Sequence, residues 1–200
     1  MKQEDLLARQ HFNNLAAEWD IRMSYPRERI EGILSRLSIG KADSILDLGC
    51  GTGVLFPILE KLTNNGTRVF AIDYAAEMAV QAASKRYEFF TPVCADAHNL
   101  PFRNEKFDSV IGFHVFPHFQ NSIAALKECR RVLKNGGELS IIHLRSSQEL
   151  NDFHATLHGP VKNHKLMEGN ELGRLLQKLA FKVEAVVDEP GQYFVRALKS

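Results

Sequence analysis

Apolar residues in the first forty positions recur at helical spacing: Leu6, Leu7, Phe12, Leu15, Ala16 and Trp19, then Ile30, Ile33, Leu34 and Leu37. Two helices are expected before any strand. The pattern then changes to short apolar runs rich in β-branched and aromatic residues, SILDL, TRVFAI, FFTPVCA, FDSVIGF and ELSIIHL, as in strands buried on both faces. Helical stretches at 54–62, 75–86 and 122–133 separate them, the last followed by the stop signal Asn135-Gly136-Gly137. Such alternation predicts an α/β fold, a three-layer αβα sandwich with a mostly parallel sheet and right-handed crossovers. Pro92 suits an edge strand, because proline cannot donate to a central ladder. Beyond His143 a helix is expected over 146–158, a break at Gly159-Pro160, and a helix over 168–179 with Leu172, Leu175, Leu176 and Leu179 inward. Two final runs, 181–187 and 193–198, flank the turn-rich 188–192, so the last strand should pair antiparallel as a hairpin.

In an open α/β sheet, ligands bind where the carboxyl ends of the strands meet the crossover loops. The first strand runs into Asp47-Leu48-Gly49-Cys50-Gly51-Thr52-Gly53, where glycines let a ligand approach the backbone. A dinucleotide fingerprint would need a further glycine where this chain has Val54. Asp47, just before the loop, would repel a pyrophosphate and suits an ammonium or sulfonium. Asp73 closes the second strand, placed to accept from two ribose hydroxyls, and Asp96 follows the third, placed to accept from an adenine amine.

These residues, with Phe70–Asp73 and Tyr74, Cys94–Ala97 followed by Asn99-Leu100-Pro101-Phe102, the run 107–119 and the run 133–139 (LKNGGEL), resemble the successive motifs of class I S-adenosylmethionine-dependent methyltransferases, small-molecule type, over roughly residues 40 to 145. The resemblance implies a Rossmann-like seven-stranded sheet with an antiparallel last strand and S-adenosyl-L-methionine as cofactor. It places Gly49, Gly51 and Gly53 along the methionine moiety with Asp47 serving its ammonium, Cys50 packed behind, Asp73 on the ribose, Tyr74 on the adenine, Asp96 and the Ala97 amide at the adenine edge, and Phe113 beside the cofactor. The chain is then expected to be one domain: a helical lid over 1–40, a cofactor-binding core over 41–145, and a substrate-side insert with the C-terminal hairpin over 146–200.

Methyl transfer from a sulfonium is an in-line displacement that needs alignment and uses a base only if the acceptor must lose a proton. The N-terminal segment carrying Phe12 and Trp19 resembles the helix that covers the site in such enzymes; Trp19 and Tyr25 are substrate-side candidates, with simple packing as the alternative. Histidines are the least generic feature, His143, His154, His158 and His164 lying within 22 residues. His114 and His143, at the ends of the fourth and fifth strands, are the catalytic candidates. His154 and His158 would share a helix face, and Arg145 could reach an anionic acceptor or form a surface ion pair. The cluster reads as exposed or packing, as substrate contact or base, or as metal-binding, and no metal is assigned because no companion carboxylate or cysteine has a recognised spacing. His118 should support its loop, Cys94 and Cys129 read as core, Asp108 as structural, and Arg130, Arg131 and Lys134 as a solvated helix end.

Charge narrows the field: 25 Lys and Arg against 24 Asp and Glu give +1, so no basic surface invites nucleic acid. No apolar run is long enough for a bilayer, the acid-bearing start lacks an export signal, and three unpaired cysteines suit a reducing cytoplasm. The expectation is a cytoplasmic methyltransferase acting on a small molecule, without nucleic-acid or membrane partners; nothing specifies an oligomeric state. The rival readings are a metal- or tetrapyrrole-related acceptor held by the histidines, and a cofactor-binding regulatory or assembly protein without catalysis.

Overall fold

The computed structural model describes residues 3–64 and 66–200. Seven strands, β1 (Ser44–Leu48), β2 (Arg68–Asp73), β3 (Phe90–Cys94), β4 (Phe107–Phe113), β5 (Leu133–His143), β6 (Phe181–Glu189) and β7 (Gln192–Lys199), form one sheet in the order β3-β2-β1-β4-β5-β7-β6. All neighbours are parallel except β7, which runs antiparallel to both β5 and β6. This is the mostly parallel sheet expected from the alternation, in the Rossmann-like seven-stranded form that the resemblance implies, with Pro92 on the edge strand β3. The chain moves outward from β1 to β3 and returns to the other side of β1 with β4, so the strand order reverses between β1 and β4 and leaves a crevice at their carboxyl ends.

The helices are α1 (Gln3–Leu15), α2 (Trp19–Arg22), α3 (Arg27–Leu34), α4 (Phe56–Leu62), α5 (Ala76–Ser84), α6 (Ser122–Val132), α7 (Ser147–Thr156) and α8 (Gly169–Lys178). One face of the sheet is covered by Leu126, Cys129 and Val132 of α6 with Leu172 and Leu176 of α8. The other is covered by Ile30, Ile33 and Leu34 of α3 with Ile58 and Leu59 of α4. Each stripe follows the 3.6-residue period that made it readable from the sequence.

Several boundaries differ from the sequence pattern. The first helix is interrupted by a 3-10 turn at Ala16–Glu18, so Trp19 starts a new short helix. The Asn135-Gly136-Gly137 signal does not cap α6, which already ends at Val132; Leu133 is extended, and the glycines sit inside β5 where its pairing with β4 shifts register. Helix α7 starts on a capping box between Ser146 and Glu149 but ends at Thr156 because Leu157 is extended. His158 therefore falls outside the helix and does not share a face with His154. Cys94 is exposed at the end of β3 rather than core, whereas Cys129 is buried. Arg130 and Arg131 are not a solvated helix end: Arg130 donates to the carbonyls of Ala180 and Ser200, and Arg131 to those of Leu100 and Phe102 and to Glu128. Asp108 ties strand starts together, accepting from the amides of Asp43 and Ser44 and from Lys134. Among the described residues, no helix is long and apolar enough to cross a membrane.

Candidate active site

The crevice at the switch in strand order opens into a cavity of about 930 Å³, within the range of small-molecule sites. Its walls include Gly49, Cys50, Gly51, Asp73, Tyr74, Asp96, Ala97 and Phe113 from the cofactor-side candidates, and Trp19, Tyr25, His114, His143, Arg145, His154 and His158 from the acceptor-side candidates. Asp47 and Gly53 do not line it. Gly53 has φ +85° and turns its Cα toward Phe56, whose ring would lie 2.7 Å from an added Cβ, so its lack of a side chain serves packing. Gly51, with φ +53°, is open to the cavity: an added Cβ would meet nothing nearer than Trp19 Nε1 at 3.9 Å.

The acidic wall belongs to β1, β2 and β3. The amides of Gly49 and Cys50 donate to the Ile72 carbonyl at 2.8 and 2.9 Å, folding the loop across the end of β2. Asp73 then accepts from the Gly51 amide at 2.9 Å and from the Ala75 amide at 2.9 Å. Burial pushes its carboxyl up to about 6, a rise that these two amides oppose. Asp47 is more extreme. Both of its oxygens are buried without a protein partner, and burial first, then the charge of Asp73, pushes its carboxyl up to about 8. An orphaned acid beneath an open glycine backbone is a fit for a group that brings positive charge, as an ammonium or sulfonium does. Cys50 is buried against Phe56, Ala71 and Ala82, and burial raises its thiol well above the usual range, which suits packing and not reactivity. Asp96 accepts from the His98 amide and, at 2.6 Å, meets His98 Nδ1; His98 Nε2 in turn accepts from the Asn121 amide at 3.2 Å.

The opposite wall belongs to β4 and β5. His114 follows β4 with φ +56°, its amide donating to the Ile142 carbonyl and its Nε2 accepting from the Leu144 amide at 3.1 Å. The proton of the neutral ring therefore sits on Nδ1, and burial, with the charges of Arg145 and Arg29, pushes the imidazole down to about 3. His143, at the end of β5, is wholly buried with neither ring nitrogen partnered; its ring lies 5.0 Å from that of His114 and 5.7 Å from Tyr193. Burial holds it well below the ordinary histidine range. Tyr25 packs edge-on against Phe113 at 5.6 Å and near His114 at 5.2 Å, with its phenol pushed up to about 12 by burial.

Three further histidines are tied to protein groups. His118 Nδ1 meets His164 Nδ1 at 2.7 Å, and His154 Nδ1 meets the His164 carbonyl at 2.5 Å. With His158 exposed beyond α7, the expected His154 and His158 chelating face is not formed. Among the described residues, no group of three His, Cys, Asp or Glu is placed to hold a metal ion. His11, given no role by the sequence, lines the cavity beside Phe12.

The N-terminal helices close one end of the cavity with Phe12, Leu15 and Trp19. Phe12 meets Trp19, Tyr74 and His118 edge-on at 5.9, 6.3 and 5.1 Å. Trp19 and Phe12 also pack with Ala16 against Ala75 and Met78, the packing contact expected as the alternative for Trp19. Asp20 accepts from Thr52 of the glycine loop and pairs with Lys85 at 2.8 Å, while Asn13 accepts from the Glu77 amide at the start of α5. Sequence reasoning missed this clasp, whose members come from three distant segments.

A family model described as a methyltransferase domain matches residues 46–141. The demethylmenaquinone methyltransferase of Thermotoga maritima is 34% identical over 102 residues, covering 51% of this chain and 44% of that protein. The "Probable tRNA methyltransferase 9B" of Bos taurus is 40% identical over 100 residues, covering 48% of this chain and 20% of that protein. The chain thus spans less than half the length of these curated relatives. The crystal structure of an S-adenosylmethionine-dependent methyltransferase from Aquifex aeolicus superposes with a TM-score of 0.73 at 21% identity, covering 96% of this chain and 98% of that one, a likeness of fold. The matched span runs from within β1 to within β5 and so contains the whole acidic wall: over residues 46–141 this chain carries a methyltransferase domain, on a fold shared with S-adenosylmethionine-dependent methyltransferases.

Proposed function

We propose that the protein transfers the methyl group of S-adenosylmethionine to a small-molecule acceptor bound in the same cavity, beneath the helical lid of 1–40 and the insert that begins at 146. The observation that carries this reading is the continuity of the cavity. Its acidic wall of Asp73 and Asp96 and its histidine wall of His114 and His143 face one space of about 930 Å³, room for a nucleoside cofactor and a second small molecule.

Gly49 and Gly51 would hold the methionine end, Asp73 the ribose, and Tyr74, Asp96 and Ala97 the adenine. When bound, the cofactor supplies an electrophilic methyl group. The chain's own residues bind, orient and exclude water: Phe12 and Trp19 cover the cofactor end, and Tyr25, Phe113 and His114 form the floor against which an acceptor is held. His143 offers two unpartnered ring nitrogens to a polar atom of the acceptor. A neutral His114 is a hydrogen-bond donor at Nδ1 and a poor proton acceptor, so the wall favours alignment over base catalysis.

A relative named for tRNA raises a nucleic-acid acceptor as the competing substrate. The net charge of +1 and the aromatic, enclosed acceptor wall support the small molecule. The test is release of S-adenosylhomocysteine from labelled cofactor with a metabolite extract and, separately, with bulk tRNA. Product with the extract alone is expected. Product only with tRNA would overturn the small-molecule reading, and product with neither would leave a binding protein without catalysis.

A further inference from the structure

The cavity is divided by charge along the line where the strand order reverses. Asp73 and Asp96 of its wall come from the ends of β2 and β3, with Asp47 of β1 buried behind them. The β4 and β5 half contributes His114, His143 and Arg145, and Arg29 reaches the same cavity from α3. Arg29 lies beside the β6–β7 turn, its Nη2 3.0 Å from where a Cβ on Gly191 would be. Arg145 follows β5 and stacks on Phe153 at 4.2 Å. Among the described residues, neither guanidinium makes a hydrogen bond or ion pair. The third arginine of the cavity wall, Arg22, is engaged by Glu18 at 2.6 Å. The neighbouring acid, Glu149, is already committed to the amides of Ser146 and Gly191 at 2.9 and 2.7 Å. Two uncommitted cations therefore act on His114, whose ring lies 5.0 Å from that of the buried, unpartnered His143.

We propose that the acceptor is a small organic carboxylate whose charged end is bound by Arg29 and Arg145 while its reacting end lies against His114 and His143. The inference rests on the methyltransferase reading and specifies its substrate class. Guanidinium groups bind carboxylates in a planar, two-point geometry, and an apolar body would rest on Tyr25, Phe113 and Phe153. The division also matches the charges of the two partners: a cationic cofactor lies by the acids, an anionic acceptor by the arginines, and neutral imidazoles stand between them without repelling either.

The test uses the full chain saturated with S-adenosylhomocysteine and follows ligand binding by nuclear magnetic resonance. The probes are matched pairs of one shape and different charge: benzoate with benzamide, and indole-3-acetate with its amide. The carboxylates should bind about tenfold more tightly than the amides and weaken at high salt. Arg29→Gln and Arg145→Gln should each remove most of that preference while leaving S-adenosylhomocysteine binding within about twofold of the parent. Equal affinity for acid and amide, binding of neither, or a preference untouched by both substitutions overturns the proposal. Failure to bind S-adenosylhomocysteine at all would instead remove the methyltransferase reading on which it rests.

Discussion

The amide of Gly51 donates to Oδ2 of Asp73 across 2.9 Å, so the carboxylate that ends β2 also fixes the loop that follows β1. Oδ1 takes the Ala75 amide at the start of α5 in the same way. Each oxygen keeps a lone pair for a further donor, which is how one acid can order a loop and receive ribose hydroxyls together. Asp73→Ala should weaken S-adenosylmethionine binding by roughly 10- to 150-fold, the equivalent of about 1.5–3 kcal/mol for hydrogen bonds to a charged group. Asp73→Asn, which keeps one acceptor oxygen, should lose less. Calorimetric titration of both variants decides the matter, and parental affinity in Asp73→Ala would remove this acid from the cofactor site.

Asp47 makes cofactor binding depend on pH. Its carboxyl stands at about 8 in the protein against an ordinary value near 4, so the folded ligand-free chain holds a proton there at neutral pH. A cationic ligand favours the charged form. Affinity should therefore rise as pH goes from 6 to 8, and titrations at pH 7 in buffers of different ionisation enthalpy should show proton release. For stability the sign is opposite. A carboxyl raised on folding contributes fully below the unfolded value near 4, and that contribution is lost as pH rises toward 8. Asp47→Asn should thus melt higher than the parent at pH 8, little differently at pH 4, and bind cofactor more weakly with no proton release. A pH-independent affinity between 6 and 8 would contradict the assignment.

The alternation of strands and helices, the edge position of Pro92 and the antiparallel end were legible because buried parallel strands read as continuous apolar runs, proline cannot donate to a central ladder and a turn-rich link joins the last two strands. What was hidden has a common cause. The clasp of Asp20, Thr52 and Lys85 and the contact of His118 with His164 join residues far apart in sequence, and no spacing rule encodes such meetings. The end of α7 was misplaced by two residues because Leu157 turns extended ahead of Gly159-Pro160, which took His158 off the helix. Gly53 had the sequence of a ligand loop but packs on Phe56.

His143 separates function from stability. Neither of its nitrogens has a protein partner, so the native fold gains no hydrogen bond from them. His143→Leu, an apolar side chain of similar volume, should retain or raise the melting temperature, since a buried unpartnered polar group costs about 1–3 kcal/mol. Its turnover, and that of His143→Asn, should fall by about tenfold or more while cofactor affinity stays within about twofold. Parental turnover in both would return the ring to a packing role, and a large loss of stability in His143→Leu would mean that the ring is held by the fold itself.

The two loop glycines Gly51 and Gly53 should fail differently when a methyl group is added. Both have positive φ, so alanine at either position incurs a backbone cost of roughly 1–2 kcal/mol. At Gly53 the methyl would also lie 2.7 Å from the ring of Phe56, a fully buried side chain in a close-packed cluster, and that overlap adds to the strain. At Gly51 it would meet only Trp19 Nε1 at 3.9 Å and project into the cavity. Gly51→Ala should therefore stay folded, with a melting temperature lowered by roughly 2–8 °C, yet lose most of its affinity for S-adenosylmethionine. Gly53→Ala should melt lower still, and whatever folded fraction remains should bind better than Gly51→Ala. Thermal melts and cofactor titrations of the two proteins side by side check this, and the reverse ranking would place the methionine end of the ligand along Gly53 instead of Gly51.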